Sequence, residues 1–140
     1  MTRIDFYVLN AGKPDHYRFA CQLTEKIYKT GHQLLINTDS ESAAQQLDTM
    51  LWTFRDQGFI PHAIYQPQGA QIEPVLISCT AEPDTHSDVL LNLTNEVPSF
   101  FSRFQRVAEI VSQQEQQRQA ARQRYKFYRD RGYQIVTHEI

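Results

Sequence analysis

Residues 33–41 read QLLINTDSE, a short apolar run that passes directly into a polar cluster. The apolar part is bounded by polar residues, which is typical of a strand buried in a sheet. Thr38 and Glu41 match a capping box, in which a serine or threonine is followed three residues later by an acid at the start of a helix. The stretch therefore predicts a buried strand followed at once by a helix, the repeating unit of an α/β fold.

A second unit of the same kind precedes this stretch. Residues 4–9, IDFYVL, are rich in strand-forming residues and end at a loop signal, NAGKP at residues 10–14, so we expect the first, central strand there. A helix fits residues 15–30, with Gly31 placed to end it and apolar residues at helical spacing: Phe19 or Ala20, Leu23 and Ile27. Strand, helix, strand and helix within the first 57 residues indicate parallel strands joined by right-handed crossovers.

The chain after residue 41 continues this pattern. The second helix is predicted to end at Gly58, with an apolar side formed by Ala43, Leu47, Met50, Leu51 and Phe54. Pro61 and Pro67 make residues 59–70 unsuitable for a helix or a central strand. Two further strands are predicted at residues 74–78 and 88–93.

A long helical region is predicted from Ser99 onward, before a final strand at residues 133–137. Its first half would bury three residues that lie on the same helical stripe as arginines farther on: Phe104, Val107 and Val111. A straight helix would bury those arginines, so we expect the region to bend or break between residues 113 and 117. The predicted architecture is a single three-layer α/β domain over residues 1–140, with a mostly parallel sheet and a long, bent C-terminal helical region.

The composition suits a globular protein with one core. The chain has 140 residues, of which 41% are apolar and 11% aromatic, and this is enough for a single core. No apolar run approaches the ~20 residues that a membrane span needs, and the N-terminus lacks a signal-peptide pattern, so we expect a cytoplasmic protein with no membrane partner. Cys21 and Cys79 stand far apart without metal-binding spacing, which predicts buried free thiols.

Motifs for cofactor and metal binding are absent from the sequence. The turn after the first strand has only Gly12, and Lys13 is followed by proline, which does not fit a phosphate-binding loop. The five histidines are scattered, and no nucleophile elbow or paired-carboxylate motif is present. We therefore predict no cofactor, no metal and no catalytic residues, although a catalytic site assembled from distant positions stays open as an alternative.

The segment at residues 118–133, RQAARQRYKFYRDRGY, concentrates the positive charge of the chain. Between residues 118 and 131 lie six of the fourteen lysines and arginines and one acid, a local charge of +5, so the rest of the chain carries −7 against a total of −2. On a helix, four residues share one stripe: Arg118, Arg122, Tyr125 and Arg129. The opposite side, expected to be buried, carries Ala120, Phe127 and Tyr128. Guanidinium groups beside an aromatic ring could bind a carboxylate of an acidic partner, and the alternative is an ordinary solvated helix face.

A second candidate surface is the aromatic cluster near the end of the second helix. Trp52 lies about 100° around the helix from Leu51, away from the predicted core side, and Phe59, Ile60 and Pro61 follow shortly after. A tryptophan beside such a loop is typical of a protein–protein hot spot. The alternative is that Trp52 covers the edge of the core under the long loop.

Taken in order, several motifs resemble those of a known family, the chi subunit of the bacterial DNA polymerase III holoenzyme. They are DFYVL at residues 5–9, LD..LW at 47–52 followed by FIPH at 59–62, DVLLNL at 88–93 and ARQRYKFYRDRGY at 121–133. Each motif is weak alone, but their order and spacing cover nearly the whole chain. The resemblance implies a Rossmann-like α/β fold without catalytic activity.

The resemblance also implies two partners and a role in DNA replication, with DNA contacted only indirectly. One surface would bind the psi subunit, which connects the protein to the clamp loader, through Trp52, Phe59 and Pro61. Another would bind the acidic C-terminal tail of single-stranded-DNA-binding protein through Arg118, Arg122 and Tyr125. Within this surface our own hypothesis places Arg122 at the terminal carboxylate and Arg118 at upstream acids. The pocket for the last side chain of that tail would be bordered by Val111, Tyr125 and Thr137.

Two other functions stay open beside the adaptor. Direct binding of single-stranded nucleic acid through the Arg/Tyr stripe would require a longer basic surface with several stacking aromatic residues. The acidic remainder of the chain would also repel the phosphates. A Rossmann-like enzyme would bind a nucleotide at the end of the strand at residues 4–9. The adaptor function is favoured over both.

Overall fold

The computed structural model describes residues 1–10, 15–54, 59–67, 69, 73–79, 82–83 and 85–140. Over these residues strands and helices alternate in much of the chain, as the sequence predicts. In chain order the elements are β1 (Arg3–Val8), α1 (His16–Lys29), β2 (Leu34–Thr38), α2 (Glu41–Thr53), β3 (His62–Ile64), β4 (Val75–Cys79), β5 (Val89–Asn92), β6 (Arg106–Val111), α3 (Glu115–Asp130) and β7 (Gln134–Glu139). A short 3₁₀ turn, Phe101–Arg103, precedes β6.

The strands of the described chain form one seven-stranded sheet in the order β3-β4-β2-β5-β6-β1-β7. Every strand pairing in it is parallel, which confirms the predicted α/β fold of Rossmann-like type. The expectation that β1 is central is wrong. β5 is the middle strand, and β1 lies next to the edge strand β7 because β6 inserts between β1 and β5.

Helices α1 and α2 cover one face of the sheet and α3 covers the other, which gives three layers. Successive strand residues point to opposite faces. Leu34 and Ile36 therefore join the apolar cluster under α1 and α2, whereas Leu35 joins the cluster that contains Tyr128 of α3. All four residues are fully buried, so the core consists of two apolar layers, one on each side of the sheet.

The first helix begins and ends where the sequence predicts. Asp15 is its N-cap, and the side chain accepts a hydrogen bond of 2.8 Å from the backbone N–H of Arg18. This bond satisfies one of the free donors at the helix start. Gly31 follows the helix with a φ of +83°, a left-handed conformation that favours glycine.

The second helix begins near the predicted position, but the predicted capping box is wrong. Thr38 is the last residue of β2, and its hydroxyl donates to a backbone carbonyl of β4, 3.0 Å away. Ser40 is the N-cap instead and accepts a hydrogen bond of 3.0 Å from the backbone N–H of Ala43. The helix ends at Thr53, and the predicted end at Gly58 lies outside the described residues.

The long helical region predicted from Ser99 is wrong in its first half, because residues 106–111 form the strand β6. The apolar spacing fits a helix, but the run RVAEIV also alternates: Val107 packs on the α3 face and Ala108 on the α1 face. β6 lies between β5 and β1, and neighbours on both sides satisfy its backbone groups, which favours the strand. The predicted break is in the right place, since α3 begins at Glu115.

Candidate functional site

Helix α3 carries the basic segment and packs on the sheet through residues three and four positions apart. The buried ones are Ala121, Arg124 and Tyr128. The ring of Tyr128 meets the ring of Phe6 edge-on, with centroids 6.1 Å apart. Of the side predicted to be buried, Tyr128 is fully buried, while Phe127 and Ala120 are half-buried.

An open cleft of about 260 Å³ lies beneath α3, against the sheet edge formed by β6, β1 and β7. Its lining residues are Phe6, Val8, Val111, Arg118, Ala121, Arg122, Tyr125 and Thr137. This set includes every residue that the sequence analysis named for the tail site. The strand register brings them together, because Thr137 pairs with Phe6 and Val111 pairs with Val8. Their side chains therefore lie on the same face of the sheet, beneath α3.

The cleft combines an apolar floor with a cationic rim. Tyr125, which is 38% exposed, packs edge-on against Phe6 with ring centroids 5.3 Å apart. Arg122 is exposed and lies 3.9 Å from the Glu115 carboxylate, a weak and solvated pair. Arg118 is half-buried, and its side chain has no ion-pair partner in the part of the chain that the structure describes. Both guanidinium groups are therefore available to an acidic ligand.

Two other arginines of the basic segment lie away from the cleft. Arg129, predicted to share the stripe with Arg118 and Arg122, pairs with the neighbouring Asp130 and does not line the cleft. Arg124 points inward, with a side chain that is only 6% exposed. Residue spacing within the helix does not predict that Arg124 is buried, because its ion-pair partner, Glu109, lies on the distant strand β6.

Arg124 belongs to a buried polar network that joins α3 to β6 and β5. Its Nε donates to Oε1 of Glu109 at 2.9 Å, and the Tyr128 hydroxyl donates to Oε2 of Glu109 at 2.8 Å. Nδ2 of Asn92 donates to the same carboxylate at 3.1 Å. Burial raises the pKa of Glu109, while Arg124, Asn92 and Tyr128 oppose that rise. The sequence analysis missed Glu109, although a lone acid inside the apolar run RVAEIV was a visible signal.

A second buried carboxylate lies on the opposite face of the sheet. Asp5 of β1 is fully buried and accepts hydrogen bonds from Arg3, Arg106 and His138, with Nε2 of His138 at 2.9 Å. Burial alone would raise the pKa of Asp5, but the hydrogen bonds from His138, Arg106 and Arg3 outweigh it and hold the pKa below its ordinary value. Because Asp5 is in β1 and His138 is in β7, this cluster fastens together the two strands that carry Phe6 and Thr137 of the cleft, and it does so from the other face of the sheet.

The predicted aromatic patch, Trp52, Phe59 and Pro61, lies near β3 at the other end of the sheet. Trp52 is 48% exposed and Phe59 is 66% exposed, with ring centroids 5.5 Å apart. Trp52 also packs on the ring of His62, with ring centroids 4.3 Å apart. Pro61 is half-buried. Six interstrand spacings of about 4.8 Å separate β3 from β7, so the patch and the cleft lie on the order of 30 Å apart.

Side chains that could hold a metal do not cluster in the described residues, where no group of three or more histidine, cysteine or acidic residues occurs. Cys21 is buried, Cys79 is half-buried, and neither is in a disulfide. Burial raises the pKa of the Cys21 thiol to about 12. Residues 11–14, where a phosphate-binding turn would lie, are outside the described residues. No described helix has the length and apolar character of a membrane span.

Comparisons with known proteins by family model and by sequence agree on one family. Residues 1–136 match the family described as DNA polymerase III chi subunit, HolC. The chain is 39% identical over 141 residues to the DNA polymerase III subunit chi of Pseudomonas aeruginosa, covering 100% of this chain and 98% of that protein. It is 30% identical over 122 residues to the DNA polymerase III subunit chi of Haemophilus influenzae, covering 86% of this chain and 85% of that protein. The crystal structure of T4 UvsW shares the fold, with a TM-score of 0.69 at 7% identity over 99% of this chain and 41% of UvsW.

Proposed function

The chain belongs to the family of DNA polymerase III chi subunits, and on this premise we propose that it is a non-catalytic adaptor of the clamp-loader assembly in the cytoplasm. It joins the psi subunit to the acidic C-terminal tail of single-stranded-DNA-binding protein during DNA replication. The observation that carries this proposal is the cleft beneath α3, where an apolar floor meets two available arginines.

A peptide that ends in an apolar residue after several acids matches the cleft in size and charge. The volume of about 260 Å³ lies just below the ~300–1,000 Å³ of pockets that enclose a drug-sized ligand, so it suits one or two side chains. In our proposal the last side chain enters among Val111, Tyr125 and Thr137. Its free carboxylate meets Arg122 through paired N–H donors, and Arg118 meets the acids upstream.

Arg122 is suited to this exchange of partners. In the free protein its guanidinium lies 3.9 Å from Glu115, and both side chains are 69% exposed. A solvated pair of this kind contributes about 0–1 kcal/mol. Moving Arg122 from Glu115 to a peptide carboxylate therefore costs little free energy. A partly desolvated contact with that carboxylate stabilises the complex by more than this cost.

The aromatic patch of Trp52, Phe59 and Pro61 is the proposed psi surface. Two large exposed rings in contact, as Trp52 and Phe59 are, resemble the aromatic anchors of protein–protein hot spots. The separation of the patch and the cleft, on the order of 30 Å, leaves room for both partners at once. This simultaneous binding is what an adaptor requires.

Direct binding of single-stranded nucleic acid is the less favoured function. Such a surface needs several stacking aromatics along a basic track. Among the described residues, Tyr125 is the one large aromatic of α3 that is clearly exposed. Two arginines of the segment are engaged elsewhere, Arg124 with Glu109 and Arg129 with Asp130.

Calorimetric titration of the chain tests the tail site. The ligands are an acidic peptide with an apolar last residue, the same peptide amidated at its C-terminus, and a single-stranded oligonucleotide of similar length. We expect the free acid to bind about tenfold or more tightly than the amide, because a hydrogen-bonded charge contributes ~1.5–3 kcal/mol. Equal binding of the two peptides, or tighter binding of the oligonucleotide, would refute the proposal.

A further inference from the structure

We propose that Glu109 is a positioning residue for the cleft: by fixing α3 on the sheet, it sets the preference for a peptide with a free C-terminal carboxylate. This inference rests on the proposed tail-binding function and adds a residue outside the contact surface. Glu109 is fully buried and does not line the cleft, so it would act through its neighbours.

Glu109 lies next to the floor of the cleft in the sheet. It pairs in register with Phe6 of β1, and Phe6 pairs with Thr137 of β7. Phe6 and Thr137 both line the cleft. The carboxylate that holds α3 is thus carried by the same layer of strand residues that forms the floor.

Two hydrogen bonds from successive turns of α3 end on this one carboxylate. Arg124 donates to Oε1 and Tyr128 donates to Oε2, and these residues are one turn apart on the helix. Such a pair of bonds restricts both the rotation of α3 about its axis and its sliding along the sheet. Apolar packing alone would restrict these movements less, because it is not directional.

Small movements of α3 matter to the cleft because Arg118, Arg122 and Tyr125 project from the same helix. Side chains reach ~5–6 Å from a helix axis, so a rotation of about 20° would displace their ends by ~2 Å. A preorganised site tolerates only ~0.5 Å of displacement. The aromatic rings provide a second link between the buried network and the cleft. The ring centroid of Phe6 lies 6.1 Å from that of Tyr128 and 5.3 Å from that of Tyr125.

The test compares Glu109→Gln and Tyr128→Phe with the unaltered chain by calorimetry, using the free-acid and the amidated acidic peptide. Residues that touch no ligand can still change binding about 2- to 30-fold. We expect Glu109→Gln to weaken free-acid binding about 5- to 30-fold and Tyr128→Phe about two- to fivefold. Binding of the amide should change less, so the preference for the free acid falls.

Leu47→Ala is the matched control. Leu47 is fully buried in α2 on the opposite face of the sheet, so its truncation should lower the melting temperature without changing the preference between the peptides. In an Arg122→Ala background, Glu109→Gln should have little further effect on that preference. If Glu109→Gln does not fold, Tyr128→Phe decides, because it removes one hydroxyl and keeps the packed ring.

Folded variants that keep the preference of the unaltered chain would overturn this inference and leave the tail site intact. A preference lost equally in Leu47→Ala would also overturn it, because general destabilisation would then be sufficient. An unaltered chain that shows no preference for the free acid would instead overturn the proposed function, and this inference with it.

Discussion

Replacing Phe59 with alanine should weaken psi binding and leave the fold stable. Phe59 is 66% exposed, so about a third of a side chain of roughly 200 Å², near 70 Å², is buried. At about 25 cal/mol per Å², this burial contributes at most ~1.7 kcal/mol to the free energy of unfolding. Truncation of a fully buried phenylalanine costs ~3–5 kcal/mol. Phe104, which is 2% exposed, provides the matched core variant.

The two variants are compared in urea unfolding and in calorimetric titration with psi. Loss of a hot-spot aromatic costs ~2–4 kcal/mol of binding, or about 30- to 1,000-fold in affinity. Phe59→Ala should show this loss with a small change in the unfolding midpoint, whereas Phe104→Ala should show a large change in the midpoint. Unchanged psi affinity, or destabilisation as large as that of Phe104→Ala, would refute the assignment of Phe59 to a binding surface.

The cleft, the buried Asp5 cluster and the first helix give three further predictions. Arg122→Ala should weaken free-acid peptide binding by ~2–5 kcal/mol and Arg118→Ala by about 1 kcal/mol or less; calorimetry with the amidated peptide should remove the difference. The lowered pKa of Asp5 means that its stabilisation is present above the unfolded pKa and lost as pH falls through the folded pKa; urea titrations from pH 7 to about 2 should show this loss below about pH 4, and less of it in Asp5→Asn. Gly31→Ala should lower the unfolding free energy by ~1–2 kcal/mol, measured in urea, because φ is +83° there.

Elements with local signals could be predicted from the sequence alone. The N-cap at Asp15 and the glycine at Gly31 bound α1 without reference to the rest of the chain. The run at residues 106–111 could not be assigned in this way, since its apolar spacing fits a helix as well as a strand. Its strand form depends on pairing with β5 and β1, which are neighbours only in the folded sheet.

The residues of the candidate site likewise divide into those that a local sequence pattern predicts and those that depend on the folded sheet. Helical periodicity groups Arg118, Arg122 and Arg129 on one stripe, but it does not tell where the sheet ends below the helix, and Arg129 lies beyond the cleft. The two strand residues of the site, Val111 and Thr137, were named through the family resemblance and not through spacing. Register brings them under α3, and no local pattern encodes register between distant strands.

The pairing of β7 with β1 determines when the cleft can form during synthesis. Asp5 and His138, which fasten these strands together, are 133 positions apart in the chain. At ~5–20 residues per second, a ribosome needs ~6–25 s to proceed from the end of β1 to the start of β7. During this interval the edge of β1 that pairs with β7 has no partner strand, and the part of the cleft floor that Thr137 forms does not exist. The residues of the aromatic patch, the last of which is Pro61, are synthesised much earlier, so a nascent chain would carry the proposed psi surface before it could capture an acidic tail.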